Sequence, residues 1–289
     1  MSTRPPITLS IAGTDPSGGA GIHADLKTFT ALGVLGTTAI TALVAQNTHG
    51  VSRVYPIDED FVVAELDSVL NDMPVDATKT GMLGSTSLVD LVVDRARTSD
   101  LGFFTVDPVM VSTSGHRLLE VDAVAAVRER LLPFADLITP NLPEAALLLG
   151  DDVAEAQTPA QMRDQARELI ARGARAVLLK GGHAADGDVA DILVTADGEI
   201  AEFSHPRIST PNTHGTGCTL SAAITAEAAV LRRANGGEAL SAEEVHGAVE
   251  RGLDFLARAL ASAADWQVSL DAAGAHGPVD HQVDVRRRG

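Results

Sequence analysis

Short apolar runs rich in β-branched residues alternate along this chain with longer segments whose apolar positions recur every three or four residues. A continuous apolar run of a few residues reads as a strand buried on both faces, and a 3.6-residue recurrence reads as an amphipathic helix. On that basis Ile7–Ala12 is a strand, followed by a glycine-rich loop over Gly13–Gly21 and a helix to about Leu32. Thr37–Ala45 is a second strand. Asp58–Asn71 is a helix with Phe61, Val62, Leu66, Val69 and Leu70 on one side. Ala77–Met82 is a strand before helix Leu88–Arg97, and Phe103–Asp107 a strand before helix Asp122–Leu132. Leu137–Thr139 is a short strand before helix Pro143–Leu149.

Local signals mark the second half. Thr158-Pro159-Ala160-Gln161 reads as a capping box with proline in the first helical turn, opening a helix to Arg172 that Gly173 ends. Ala176–Lys180 is a buried strand, and Val189–Thr195 and Glu199–Ser204 flank a hairpin turn at Ala196-Asp197-Gly198. A helix follows Cys218 to about Ala234, and the capping box Ser241-Ala242-Glu243-Glu244 opens another to about Ala263. The tail beyond Trp266 ends in Arg286-Arg287-Arg288 and reads as frayed there. Regular strand–helix alternation without a linker or repeat predicts one α/β domain over residues 1–289, with a core at 7–270 and a tail at 271–289. The expected architecture is three-layer α/β/α, with a mostly parallel central sheet flanked by helices. Ligands of such sheets bind beyond the carboxyl ends of the strands. Asp15, Gln46, Gly81, Asp107, Asn141 and Lys180 all fall at or just after a strand end, and so predict an active-site rim.

Composition narrows the chemistry. The 289 residues are 45% hydrophobic and 21% charged but only 3% aromatic, so the core must be built from Ala, Val, Leu and Ile. A net charge of −17 argues against nucleic acid and anionic membrane as partners. A phosphate substrate would then be held by local positive groups. The single cysteine, the lack of an apolar leader and the lack of a membrane-length apolar run lead to the expectation of a cytoplasmic protein. Of 22 basic residues only Lys27, Lys79 and Lys180 are lysines. A chain that otherwise uses arginine can reserve lysine for places that need a compact point charge. Lys180, before two glycines, is the foremost candidate.

The run Asn212-Thr213-His214-Gly215-Thr216-Gly217-Cys218-Thr219-Leu220-Ser221-Ala222-Ala223 carries the sharpest signal. A glycine-containing loop entering a helix presents unpaired N–H donors and the positive end of the helix dipole, which suits phosphate. A thiol at that position is expected to have a lowered pKa. The alternative is a helix start with a small buried cysteine. No phosphate-binding Gly-x-x-x-x-Gly-Lys-Ser/Thr, dinucleotide fingerprint, His-Glu-x-x-His or Cys-x-x-Cys pattern occurs, and Ser114 and Ser221 lack nucleophile-elbow context.

Seven blocks, in order, resemble one family. Ile11-Ala12-Gly13-Thr14-Asp15-Pro16-Ser17-Gly18-Gly19-Ala20-Gly21-Ile22-His23-Ala24-Asp25-Leu26-Lys27-Thr28 resembles the opening signature of the hydroxymethylpyrimidine/phosphomethylpyrimidine kinases, thiamine-biosynthesis enzymes of the ribokinase-like superfamily. Thr41–Thr48, Lys79-Thr80-Gly81-Met82-Leu83, Asp107-Pro108-Val109-Met110, Thr139–Ala145, Lys180-Gly181-Gly182-His183 and the loop at Gly215 match as well. Gly277-Pro278-Val279-Asp280-His281 also fits, so the resemblance spans Ile7 to about His281.

The resemblance implies a ribokinase-like fold, ATP as co-substrate, Mg²⁺, a small-molecule pyrimidine substrate and a homodimer. It implies that Gln46 meets the aminopyrimidine edge, where an amide's adjacent donor and acceptor are matched, with Gly13, Asp25, Met82 and Val109 completing the pocket. Asn141 and Glu144 correspond to an Asn-x-x-Glu element that positions Mg²⁺, in part through water. Asp107 is implied to support the metal or the acceptor hydroxyl, and Lys180 with Asn141 and Gly217 to contact ATP. Gly215, Thr216, Gly217 and Cys218 resemble an anion hole for the transferring phosphoryl group. Two positions depart from the superfamily pattern: Cys218 stands where aspartate is commoner, and His116 where aspartate is expected after Ser114-Gly115. The cysteine favours the pyrimidine branch, though some pyridoxal kinases share it. A pyridoxal or pyridoxine kinase, and a binding protein without catalysis, stay as alternatives.

Overall fold

The computed structural model describes residues 4–110, 119–181 and 189–285. Ser114, Gly115, His116, Gly182, His183 and the arginines at 286–288 lie outside the described residues. Eight strands form one sheet in the order β10-β9-β8-β7-β6-β5-β1-β2. These are β1 (Ile7–Ala12), β2 (Leu35–Ile40), β5 (Ala77–Thr80), β6 (Phe103–Val106), β7 (Leu137–Ile138), β8 (Ala176–Leu179), β9 (Val189–Thr195) and β10 (Ile200–His205). The six strands from β2 to β8 are parallel, and β9 and β10 add antiparallel pairs at one side. The mostly parallel sheet expected from the strand–helix alternation is present.

The strands β1, β5, β6, β7 and β8 are short and buried on both faces because helices cover both. Against one face lie α2 (Glu59–Leu70), α3 (Thr86–Thr98), α4 (Val121–Ala126), α5 (Leu142–Leu149) and α6 (Pro159–Ala171). Leu9, Ile11, Val106, Ile138 and Val177 point to them. The other face holds α1 (Gly21–Ala31), α7 (Thr216–Ala234) and α8 (Ala242–Ala263), against Ala77, Phe103, Leu137 and Leu178. Ala222, Ala223, Ala226, Ala228 and Ala229 are fully buried along α7. Small side chains let this helix lie close on the sheet, which a core poor in aromatics requires. Among the described residues no helix is long and apolar enough to cross a membrane.

Three expectations are corrected. The strand expected over Thr37–Ala45 is two strands: β2 ends at Ile40, and β3 (Ala42–Asn47) leaves the main sheet to pair antiparallel with β4 (Gly50–Pro56). Thr41 is the corner, donating its N–H to Ala12 O (3.1 Å) and its hydroxyl to Met82 O (2.6 Å). The helix expected to Leu132 is regular only to Ala126 and continues through a wider turn over Val127–Leu131 and a tighter one over Leu132–Phe134. Thr158 caps α6, accepting from Gln161 N–H (3.2 Å), but Gln161 answers to Gln157 N–H (2.7 Å) and leaves the box open.

Candidate active site

Along the sheet, strand order reverses between β1 and β5, because the chain runs β1 to β2 on one side and β5 to β8 on the other. Such a reversal opens a crevice beyond the carboxyl ends of the strands. Gly13, Asp15, Gly81, Met82, Asp107, Asn141 and Lys180 stand at those ends, and the N-terminus of α7 closes on them.

Asp107, at the end of β6, is the hub. It is 2% exposed and accepts from Thr139 Oγ1 (3.0 Å), Ser221 Oγ (3.0 Å) and Lys180 Nζ (3.3 Å). Burial works against its charge, but Lys180 and Lys79 outweigh burial and hold its pKa below the ordinary value. Lys180 is likewise kept protonated, with Asp107 and Glu144 outweighing the cost of burial. A Cβ placed on Gly217 would lie 3.4 Å from Lys180 Nζ, so the ammonium sits against the first turn of α7.

Asn141 and Glu144 come together as expected, and they cap α5 reciprocally. Asn141 Oδ1 accepts from Glu144 N–H (2.8 Å), and Glu144 Oε2 accepts from Asn141 N–H (2.9 Å). Burial, with Asp107 nearby, pushes the Glu144 carboxyl up to about 7 against the pull of Lys180.

The other side of the crevice is apolar. Ala42 and Val44 on the inner face of β3 pack with Met82, and Val51 and Val54 of β4 support them. Strand alternation puts Gln46 on that same face, half-buried, just where the β3–β4 register shifts. A Cβ at Gly13 would lie 2.6 Å from Met82 Cε, so glycine is what lets the methionine cover the strand end. Val109 follows Asp107, half-buried, with its N–H on Asp107 O (2.8 Å).

Two expectations change here. Asp25 is wholly buried beneath the crevice, and its carboxylate is committed to Lys79 Nζ (2.9 Å to each oxygen) and Ser10 Oγ (2.6 Å). In this structure its side chain is 0% exposed. Cys218, partly exposed in the first turn of α7, has its thiol pushed up to about 11, not lowered. Desolvation comes first among the causes. Asp107 and Asp25 add to it, and together they exceed the opposing pull of Lys79 and of the Gly21 N–H. The helix end is present, but burial and two neighbouring carboxylates disfavour the thiolate more.

Sequence reasoning passed over Lys79, Ser221 and Thr139 as site groups. The usable signal was the scarcity of lysine. All three lysines meet at this edge: Lys79 on Asp25, Lys180 on Asp107, and Lys27 Nζ on Gly18 O (2.7 Å) in the opening loop. Ser221 lies one turn after Cys218, on the face of α7 that meets β6.

Residues 15–280 match the family model described as phosphomethylpyrimidine kinase. Over 218 residues the chain is 56% identical to the hydroxymethylpyrimidine/phosphomethylpyrimidine kinase of Escherichia coli, an alignment that covers 75% of this chain and 81% of that one. A solved phosphomethylpyrimidine kinase from Clostridium difficile superposes with a TM-score of 0.73 at 35% identity, covering 88% of this chain and 99% of the other. A pyridoxal kinase from Staphylococcus aureus in complex with ADP superposes at 0.83 and 32% identity, covering 98% and 96%.

Proposed function

The chain belongs to the phosphomethylpyrimidine kinase family, and we propose that it acts twice on one substrate class in thiamine biosynthesis. It transfers the γ-phosphoryl group of ATP to the hydroxyl of 4-amino-5-hydroxymethyl-2-methylpyrimidine, and then transfers a second to the monophosphate. In each step an acceptor oxygen bonds to the γ-phosphorus, the bond to the β–γ bridging oxygen breaks, and ADP leaves. Residues 1–289 serve as one kinase domain on the ribokinase-like fold. The observation that carries this reading is the juxtaposition of an apolar, glutamine-edged pocket with a helix N-terminus flanked by Lys180 and Asp107.

In this reading Gln46 pairs with the aminopyrimidine edge, while Gly13, Val44, Met82 and Val109 enclose the ring. Asp25 holds Lys79 beneath it. The backbone N–H groups of Gly215, Thr216, Gly217 and Cys218 receive the charge that spreads over the phosphoryl oxygens. Lys180 neutralises the ATP phosphates, with Asn141 beside them. Phosphoryl transfer passes through a loose transition state with little covalent work for the protein. The attacking hydroxyl then needs no strong base early, which agrees with a Cys218 thiol pushed up to about 11.

Mg²⁺ fits the donors present. Among the described residues no cluster of three or more His, Cys, Asp or Glu side chains forms a ready-made metal cage. Two buried carboxylates, Glu144 and Asp107, are what a magnesium ion held mainly by phosphate oxygens and water requires. When bound, it would neutralise phosphate charge. We also propose a homodimer in the cytoplasm.

The second reading, a pyridoxal kinase, is favoured by the likeness to the Staphylococcus aureus structure. Gln46 tests the pyrimidine reading by experiment. Gln46→Leu removes a donor–acceptor pair that the bound ring would bury, a loss of about 1–3 kcal/mol. The expected result is a KM for the pyrimidine raised about tenfold or more, with KM for ATP unchanged, since 1.4 kcal/mol is tenfold. Unaltered pyrimidine kinetics in that variant remove Gln46 from the site.

A further inference from the structure

Asp15 is fully buried although it stands in the opening loop, and it gathers more hydrogen bonds than a loop turn needs. Its Oδ1 accepts from the N–H (2.8 Å) and hydroxyl (2.6 Å) of Ser17, and its Oδ2 from Gly19 N–H (3.0 Å) and Ala20 N–H (2.7 Å). The remaining bond leaves the loop: Oδ2 lies 2.8 Å from His214 Nε2. Burial opposes the charge, but the bonds from His214 and Ser17 hold Asp15 well below the usual carboxylate range. With Asp15 ionised, the ring nitrogen of His214 is the donor.

His214 immediately precedes Gly215, which caps α7 in the left-handed region (φ 77°). A side chain at Gly215 would overlap the carbonyl oxygen of Gly19, so the two loops touch backbone to backbone. Behind them the C-terminal segment closes the joint. His214 N–H donates to Gly277 O (3.0 Å), His214 pairs with Pro278, and the Thr219 hydroxyl meets His281 Nε2 at 3.0 Å. His281 is pushed down to about 4, chiefly by burial, and is neutral at physiological pH.

We propose that Asp15 and His214 are positioning residues that clip the opening loop to the loop before α7, so that acceptor pocket and phosphoryl-binding N–H groups are held as one unit, with residues 277–281 as the backing. The proposal rests on the reading of Gly215–Cys218 as the phosphoryl-binding element. Donors of that kind count only when aimed at the place the transition-state charge will occupy. A displacement of about 1 Å at such a site costs about 100-fold in rate. The Asp15 carboxylate is taken up by Ser17, Gly19, Ala20 and His214, so the loss of the clip belongs in kcat and not in KM.

The test compares His214→Ala, His214→Gln and Gly215→Ala with the unaltered protein, using hydroxymethylpyrimidine and ATP, with thermal melts to confirm folding. His214→Ala is expected to lower kcat by about 10- to 100-fold with both KM values held within about twofold. His214→Gln, which restores a side-chain N–H donor to Asp15, is expected to regain most of that loss. If His214→Ala does not fold, Asp15→Asn carries the same kcat-only expectation. Full kcat in His214→Ala overturns the proposal, as does a loss shared between kcat and KM that His214→Gln leaves uncorrected. Full kcat in Gly215→Ala instead overturns the reading of the loop itself.

Discussion

At the scale of single residues, three titratable side chains, Glu144, Asp25 and Cys218, dictate measurable behaviour. The Glu144 carboxyl is raised from an ordinary 4.5 to about 7 by burial. Between those values the folded chain holds a proton that the unfolded chain has released, so rising pH costs stability through that window. Glu144→Gln keeps an acceptor for Asn141 N–H and removes the charge. Its melting temperature is expected to exceed that of the unaltered protein most above pH 7 and to converge with it near pH 4.5; a disadvantage at pH 8 contradicts the burial argument. Asp25→Ala strands the Lys79 ammonium in a fully buried place. Breaking such a pair costs about 3–5 kcal/mol, and replacing both partners with apolar residues costs less. Urea midpoints of Asp25→Ala and of the Asp25→Leu/Lys79→Met double variant test this, and equal losses would count against it. Cys218 alkylation should keep accelerating past pH 8.5 toward about 11, where a thiol activated by the helix end would level off below that. Residues were legible where chemistry follows from position on a strand end, as with Asp107 and Lys180. The Cys218 thiol was misjudged, and the burial of Asp25 was not visible, because both depend on partners, two carboxylates and Lys79, that the fold brings from distant parts of the chain.

At the scale of elements, the proposed reading has the hairpin of β3 and β4 cover the acceptor. Its inner face packs Ala42 and Val44 with Met82, and Thr41 pins its root to Met82 O. Thr41→Val keeps the shape and removes that bond, at a cost of about 1 kcal/mol. A higher KM for the pyrimidine, without change in KM for ATP, is expected, and steady-state kinetics on both substrates check it. This element was half legible. The β-branched run over residues 37–45 announces extended chain, but nothing in that run marks Thr41 as a corner. β4 escaped notice because its residues are half-exposed or exposed, so neither a buried run nor a clean alternation shows. By contrast the capping box at Ser241 and the glycine loop before α7 are local signals, and both are where the sequence pattern put them.

At the scale of the whole molecule, alternation of strand and helix was enough to foresee a parallel sheet between helical layers, because connection handedness leaves few other arrangements. It did not show where the matching block at residues 277–281 docks: it returns to the loop before α7. The outer face of the hairpin leaves Leu43 and Tyr55, which are cross-strand partners, 46% and 57% exposed. A homodimer that covers this face is expected to dissociate in Tyr55→Arg, and light scattering coupled to gel filtration reads the mass; an unchanged dimer puts the interface elsewhere. The central claim is the double phosphorylation of a pyrimidine. The most direct measurement is ATP consumption, with product masses, on hydroxymethylpyrimidine, its monophosphate, pyridoxal, pyridoxine and thiamine. The account predicts that hydroxymethylpyrimidine is carried through the monophosphate to the diphosphate, with a higher kcat/KM than pyridoxal. Arrest at the monophosphate, or a higher kcat/KM for pyridoxal, would contradict it.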